Sequence, residues 1–336
     1  MNMTKEHEAV SVILPAHNAE LTLLDTLKSV LTQTYPVAEI IAAVDASTDN
    51  TLGLLNSAAD DPGSLCPGRT MPGGVPKLKI IETQFGSPSL ARNAAIDVAG
   101  GDVICFLDAD DIWADNKTLL QIRCLADGKH DIVCSQWTAS PAGLTAADAD
   151  DTCSTDVITG DDLLILNRFQ TSTVMMRRSC VEKTGYFESA FDGAEDWEFW
   201  IRAAKISDIA RINKDLVYYR DNVNGYSKNL KRHYGASKRI VEKELLSKSR
   251  ETGGSPIIRA RRPGTDTVAE FRPEEVMAWH YLRFVVAFFL IKDYKNSFSA
   301  LGDLVKNKKP VASLRAVRKL LYPFLKHRFT KRVKPV

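Results

Sequence analysis

Apolar and polar stretches alternate along the first part of the chain, with two different periods. Short apolar runs typical of strands occupy residues 9–16, 39–45, 77–83 and 102–108. Between these runs, apolar residues recur at helical spacing in segments 21–33, 47–59 and 87–99. Short buried strands that alternate with helices are typical of a parallel sheet covered by helices. The pattern therefore predicts an α/β fold.

The pattern becomes mixed in the middle of the chain. Segments 131–139 and 210–220 have strand character. Helical periodicity returns in segments 160–169 and 195–206. A later apolar segment, 273–305, predicts one or two amphipathic helices.

These segments suggest two parts. We predict a mostly parallel sheet flanked by helices in residues 1–225, and a helical extension with a basic tail in residues 226–336.

The composition is that of an ordinary globular protein, with 44% hydrophobic and 26% charged residues among 336. Six cysteines are scattered without CxxC pairs, which argues against a zinc site or a disulfide framework. The first ten residues contain no apolar signal segment. The most apolar late run, 284–291, has eight residues, whereas about 20 are needed to cross a bilayer. We therefore predict a cytoplasmic protein with reduced thiols.

Carboxylates are concentrated where predicted strands end. Pro15, Asp45 and Asp108 all lie at such ends, and an α/β sheet binds its ligands there. Asp108 and Asp110 are separated by one alanine, so their charges repel and a cationic partner is expected. The chain lacks both GxGxxG after the first strand and GxxxxGK[ST], so nucleotide phosphates would need another positive charge. Mg²⁺ or Mn²⁺ held by this DxD motif would supply it.

Each of these residues also has a purely structural interpretation. The aspartates after residue 107 can form a turn that caps the next helix, although Trp113 in place of a glycine excludes an EF-hand. Asp45 precedes the capping segment 47–49 and is expected to be free to accept a hydrogen bond from a ligand. Arg92, on a predicted helix, would contact a pyrophosphate or a base, or remain an exposed helix arginine.

A second acidic site opens the predicted helix at 195–206. Trp197 and Trp200 fall at helical spacing and should face the core, with Glu195 and Asp196 beside them. Acidic residues in a first turn complement the helix dipole. The alternative is that Asp196 is a positioned general base.

Five segments, in this order, resemble family 2 glycosyltransferases with the GT-A fold. They are VSVILPAHNAELTLLDTLKSVLTQTYP, EIIAAVDASTDNT, SLARNAAIDVAGGDVICFLDADD, QTSTVMMRRSCVEKTGYFES and EDWEFWIRAA. The resemblance covers residues 9–220, about two thirds of the chain.

The resemblance implies transfer of a sugar, with inversion, from a nucleotide-sugar donor, expected to be UDP-linked. The acceptor would be a glycan or lipid-linked molecule in cell-surface polysaccharide synthesis. By matching position, the nucleotide would be contacted by Pro15, Ala16, Glu20, Asp45, Arg92 and Asp108. Asp110, together with Asp108, would bind the metal, and Asp196 would deprotonate the acceptor hydroxyl.

The chain departs from the family pattern in three places. Only Asp45 stands where the family usually has two acids, and Asp221-Asn222 stand where a histidine often follows YYR. The QxxRW signature of processive polymerases is absent, which implies a non-processive enzyme of bacterial type that adds one sugar per encounter.

The sequence disfavours two other function classes. A sugar-phosphate nucleotidyltransferase would need a Gly-rich loop bearing Arg or Lys after the first strand, and LPAHNAEL is not such a loop. A catalytically inactive nucleotide-binding scaffold is disfavoured by the intact DxD and by the acidic pair at residue 195.

The charge is distributed unevenly. Residues 305–336 carry eleven Lys/Arg and no Asp/Glu, so the remainder carries −9 against a whole-chain charge of +2. No nucleic-acid-binding motif accompanies the basic tail. Because many acceptors of the resembled family are lipid-linked, we predict that this tail binds an anionic membrane surface on the inner face of the plasma membrane. The alternative is a solvated basic helix end.

Overall fold

The computed structural model describes residues 8–67, 73–144, 154–221, 229–263, 265–306, 310–322 and 324. The chain forms two compact units. The first comprises Met1–Ile158, Phe169–Ser189 and Arg202–Gly225, and the second comprises Thr159–Arg168, Ala190–Ile201 and Tyr226–Val336. Division of the sequence at residue 225 had placed segments 159–168 and 190–201 in the first domain, whereas they belong to the second unit.

The strands, in chain order, are β1 (Val10–Ala16), β2 (Glu39–Asp45), β3 (Lys77–Thr83), β4 (Val103–Phe106), β5 (Ile112–Trp113), β6 (Ile132–Thr138), β7 (Thr155–Ile158), β8 (Met175–Arg177), β9 (Ile209–Tyr218), β10 (Ile258–Arg261) and β11 (Val268–Phe271). The α-helices are α1 (Leu23–Leu31), α2 (Thr51–Asp60), α3 (Pro88–Val98), α4 (Lys117–Ala126), α5 (Gly160–Ile165), α6 (Arg178–Thr184), α7 (Glu195–Ala203), α8 (Leu230–Thr252), α9 (Pro273–Leu290), α10 (Tyr294–Lys306) and α11 (Pro310–Ala316).

The first unit is built on a mixed sheet. Over the described residues, nine strands join in the order β3-β2-β1-β4-β8-β6-β9-β5, with β7 paired to β9. The strands β3, β2, β1 and β4 are parallel, whereas β8 runs antiparallel to both β4 and β6. The α/β prediction is confirmed, and its parallel character holds for these first four strands. Because β2 and β4 lie on opposite sides of β1, the sheet has a topological switch point there, where α/β sheets bind ligands.

The centre of this sheet is mainly apolar, and β2 carries a buried carboxylate at each end, Glu39 and Asp45. Every residue of β2 and β4 is buried. Glu39 accepts a hydrogen bond from Ser11 Oγ at 2.7 Å, and Lys79 Nζ lies 2.6 Å from its other oxygen. Burial alone would raise the pKa of Glu39, but hydrogen bonds from Lys79, Ser11 and Gly100 outweigh it and lower the pKa. The pair is therefore compensated within the fold.

The second unit is mainly helical, with a two-stranded antiparallel sheet of β10 and β11 in its described part. The apolar segment 273–305 forms two helices, α9 and α10. The chain turns between them at Lys292, whose φ is 61°. No helix along the described residues combines the length and apolarity needed to cross a bilayer. The predicted helical C-terminal region is confirmed up to residue 322.

The two glycines that precede β4, Gly100 and Gly101, allow a test of how tightly the sheet is packed. A Cβ at Gly101 would lie 2.5 Å from Ala9 O and 2.6 Å from Ser11 Oγ, whereas one at Gly100 would meet only Glu39 Oε1 at 3.5 Å. We expect Gly101→Ala to lower the free energy of unfolding by about 1–3 kcal/mol, because the backbone must move. Gly100→Ala, the matched control, should change it by less than about 0.5 kcal/mol. Urea unfolding of both variants measures this, and equal losses would contradict the packing argument.

Candidate active site

Asp45, at the end of β2, is buried and has three hydrogen-bond donors. It is 5% exposed. Its Oδ1 accepts hydrogen bonds from Phe85 N at 2.6 Å and Thr83 Oγ1 at 3.0 Å, and its Oδ2 accepts from Ser87 N at 2.9 Å. The carboxylate that the sequence predicted to be free thus has at most one lone pair left for a ligand. Its donors lie 38 to 42 residues further along the chain, out of reach of local sequence reasoning.

The loops that follow β1 and β2 are joined through Glu20. Its backbone N–H donates to Asp49 Oδ2 at 3.0 Å, and its own Oε2 accepts from Asn50 N at 3.0 Å. Pro15 and Ala16 are the last residues of β1 and pair with the end of β2. These predicted site residues therefore share one edge of the sheet.

Arg92 and Asp108 form an ion pair. Arg92 Nη2 lies 2.8 Å from Asp108 Oδ1, and the two side chains are 7% and 32% exposed. The Arg92 guanidinium also lies 5.6 Å from the centre of the Phe187 ring. The alternative of an exposed helix arginine is therefore excluded, and part of the negative charge after β4 is compensated by Arg92.

Asp111, which the sequence did not single out as a site residue, is the buried carboxylate of this turn. Its Oδ2 accepts from Ser172 Oγ at 2.5 Å and its Oδ1 from Arg220 N at 3.1 Å. Burial, together with the charges of Asp108 and Asp110, raises the pKa of Asp111 well above its ordinary value. Ser172 Oγ also accepts from Asp108 N at 3.0 Å, so one hydroxyl holds both ends of the turn.

The backbone of the same turn is held from two sides. Thr22 and Thr26 donate from Oγ1 to Ala109 O at 2.9 and 3.1 Å, and Arg220 Nε donates to Asp110 O at 3.0 Å. The side chain of Asp110 is half-buried. These contacts fix the backbone position from which the Asp110 side chain extends.

The donor set fits a hard divalent cation. Asp108, Asp110 and Asp111 stand within four residues, and their mutual repulsion contributes to the raised pKa of Asp111. Among the described residues, no group of three or more His, Cys, Asp or Glu side chains is arranged to hold a metal ion. A site of one or two carboxylates is the kind in which Mg²⁺ keeps waters and substrate phosphates.

Asp196 lies in the second unit, in the first turn of α7, beside Glu195. Glu195 is buried, and its Oε2 accepts from Gly193 N at 2.8 Å. Asp196 is half-buried, and its Oδ2 accepts from Asn167 Nδ2 at 3.2 Å and its Oδ1 from Trp197 N at 2.7 Å. Asn167 was not identified from sequence because it stands 29 residues earlier.

Helix α3 connects the predicted residues of the first unit. Ser87, at its N-cap, donates to Asp45, and Arg92, one turn later, pairs with Asp108. The site residues expected at the carboxyl ends of β1, β2 and β4 therefore form one structural group. Asp196 belongs to the other unit.

The family model for "Glycosyl transferase family 2" matches residues 11–151. Residues 11–151 therefore form a glycosyl transferase family 2 segment. The chain is 28% identical over 250 residues to UDP-Glc:alpha-D-GlcNAc-diphosphoundecaprenol beta-1,3-glucosyltransferase WfgD of Escherichia coli, covering 70% of this chain and 88% of WfgD. Its identity to the glucosyltransferase WfaP of Escherichia coli, which is named for the same donor and acceptor, is 28% over 236 residues, covering 66% of this chain and 81% of WfaP.

Solved structures share the fold of this family 2 glycosyltransferase. Residues 1–349 of Staphylococcus aureus TarS, in complex with UDP-GlcNAc, superpose with a TM-score of 0.62 at 18% identity, covering 96% of this chain and 91% of that one. The mannosyltransferase PcManGT from Pyrobaculum calidifontis, in complex with GDP-Man and Mn²⁺, gives a TM-score of 0.56 at 18% identity, covering 96% and 83%. The predicted family, fold class and enzyme class are confirmed.

Ser172 provides a test of the carboxylate turn. We expect Ser172→Ala to lower the free energy of unfolding by about 1–3 kcal/mol, because buried Asp111 loses a donor and Asp108 N loses its acceptor. The control is Ser135→Ala, because Ser135 is equally buried but donates only to the neighbouring carbonyl of Gln136, at 2.9 Å. Urea unfolding compares the two, and an equal or larger loss in the control would show that Ser172 does not hold this turn.

Proposed function

We propose that the chain is an inverting, non-processive glycosyltransferase that moves a sugar from a UDP-linked donor to a lipid-linked acceptor in cell-surface polysaccharide synthesis. The observation that carries this proposal is the carboxylate turn 108–111 at the switch point of the sheet, in a member of glycosyl transferase family 2. The activities of WfgD and WfaP, with a UDP-Glc donor and a diphosphoundecaprenol-linked acceptor, support the donor and acceptor classes.

The nucleotide would lie along the joined loops after β1 and β2. Pro15, Ala16 and Glu20 would form one wall. Asp45 would act mainly by holding segment 83–87 in place, since three donors already occupy its oxygens and at most one lone pair is left for the base. Arg92 would bring a buried positive charge to the nucleotide beside Asp108.

Asp110, together with Asp108, would hold the divalent cation. Bound there, Mg²⁺ or Mn²⁺ would neutralise the charge that develops on the departing diphosphate. The mutual repulsion of the aspartates supports this role, as does the Mn²⁺ present with the related fold of PcManGT. Arg92 would orient Asp108 through their ion pair.

Asp196 would be the general base. As the acceptor oxygen bonds to the anomeric carbon from the face opposite UDP, its proton would pass to Asp196 while the bond to UDP breaks. The donor Asn167 Nδ2 would hold this carboxylate in position. Glu195 is buried on Gly193 N, which is the behaviour of a structural cap.

We also propose that the protein works at the cytoplasmic face of the plasma membrane. The basic tail, residues 305–336, remains a predicted membrane contact, and residues 307–309, 323 and 325–336 of it lie outside the described residues.

The metal prediction concerns Asp110. In calorimetric titrations of UDP, we expect Mn²⁺ to strengthen binding to the unmodified protein, and Asp110→Ala to weaken the Mn²⁺-dependent affinity by about tenfold or more, equivalent to about 1.4 kcal/mol. Asp60→Ala, which removes an exposed acid at the end of α2, is the matched control. Metal-independent binding of equal strength in all three proteins would exclude this role for Asp110.

The base prediction separates two adjacent acids. We expect Asp196→Asn to slow single-turnover transfer by about 10²–10⁴-fold with near-normal UDP affinity, because general-base assistance is lost while shape is kept. Glu195→Gln should have a smaller effect on rate. The assay uses UDP-Glc and a lipid-diphosphate-linked GlcNAc acceptor. If the rate loss falls on Glu195→Gln instead, the two roles must be exchanged.

A further inference from the structure

Helix α10 has two apolar faces. One contains Ala300 and Leu304, which are buried. The other contains Tyr294, Phe298 and Val305, which are 49%, 70% and 69% exposed. A helix that only packs on its own domain needs one such face. The exposed face therefore calls for a separate explanation.

The exposed face continues onto the end of α9. The ring of Phe289, which is 60% exposed, packs edge-on against Tyr294 with ring centres 5.6 Å apart. Leu290, 61% exposed, extends the apolar exposure into the turn. We call the set Phe289, Leu290, Tyr294, Phe298 and Val305 the outer surface. Contiguous apolar exposure of this kind marks an interaction site.

The outer surface is not needed to hold α10 in place. On the opposite side, Ala300 packs in a cluster with Phe284 and Phe288. Ser297 Oγ donates to Val285 O at 3.0 Å, which fastens α10 to α9. Substitutions on the outer surface should therefore leave the fold intact.

Two acids, Asp293 and Asp303, lie in the segment that carries the outer surface. Asp293 caps α10 by accepting from Asn296 N at 3.2 Å and Nδ2 at 2.6 Å. Asp303 accepts from Tyr234 Oη at 2.6 Å and pairs with Lys238 Nζ at 3.1 Å. Both acids of this segment are thus engaged within the second unit.

The lysines of the same segment are exposed. They are Lys292, Lys295 and Lys306, at the two ends of α10. An exposed apolar face bordered by cations matches the interface of an anionic bilayer, where apolar side chains enter the headgroup region and lysines meet the lipid charge.

We propose that the outer surface binds the surface of an anionic lipid membrane. The occupant is a lipid interface, and α10 lies on it without crossing it. A lipid-linked acceptor would give this membrane contact its biological context, and only that context rests on the proposed function. Vesicle binding itself requires neither donor nor turnover. The proposal adds a membrane contact on α9 and α10 to the one predicted for the tail, residues 305–336, and the two overlap at Val305 and Lys306.

The test is co-sedimentation of the full chain with vesicles of phosphatidylcholine alone or with phosphatidylglycerol added. We expect binding to the anionic vesicles that weakens with salt. Phe298→Ser combined with Val305→Ser, which keeps the charge, should weaken the binding about tenfold, and Lys295→Gln combined with Lys306→Gln should do so by a similar factor. Ser299→Ala, at an exposed position next to Phe298, is the matched control and should bind normally.

The tail is tested separately by Lys331→Gln combined with Arg332→Gln and Lys334→Gln. Retained binding in this variant, with loss in the Phe298/Val305 variant, supports the outer surface. Unchanged binding in the Phe298/Val305 variant, or a dimer in solution that this variant disrupts without any vesicle binding, overturns the proposal. UDP affinity of each variant is measured in parallel, so failure of the catalytic proposal is distinguished from failure of the membrane proposal.

Discussion

The negative charge that follows β4 is the constraint on which the first unit depends. Three aspartates stand within four residues, and burial together with the neighbouring charges raises the pKa of Asp111 well above its usual range. Such a turn persists only where donors and cations surround it. Ser172, Arg220 and Arg92 meet that need, and each comes from a different part of the chain.

The need for donors and cations around this turn also explains the position of α3. Its N-cap is fixed to Asp45 through Ser87, and its next turn presents Arg92 to Asp108. One helix therefore sets the spacing between the ends of β2 and β4. A substrate that enters this edge of the sheet meets a prearranged set of groups, which lowers the cost of ordering them during binding.

The second unit separates its acids by environment. Glu195 and Asp196 are adjacent, yet one is buried on a backbone amide and the other is half-buried and held by an amide side chain. Charge is sorted in a similar way on α10, where Asp303 pairs with Tyr234 and Lys238 of α8 and Lys295 and Lys306 remain exposed. In both cases the fold assigns different roles to residues that a composition would count as equal.

The sequence by itself determined the fold class and the main elements. β2 and β3 span the predicted segments, at Glu39–Asp45 and Lys77–Thr83. A fully buried parallel strand such as β2 is a nearly continuous apolar run, whereas β3, at the sheet edge, exposes Lys77 and Glu82. β1 continues through Pro15, which the sequence treated as a stop. The missing N–H of Pro15 is tolerated because the last β4 partner of β1 is Ile13, so no ladder bond is lost there. The resemblance also selected Asp108 and Asp110.

Only the tertiary structure decided which acids are engaged and by what. Asp45 is occupied by donors 38 to 42 residues away, Asp111 by Ser172 at a separation of 61, and Asp196 by Asn167 at 29. Periodicity reports which face of a strand or helix is buried, but it carries no information on which distant backbone amide or side chain reaches a given carboxylate. That choice depends on strand order and helix placement, which are set by packing of the whole unit.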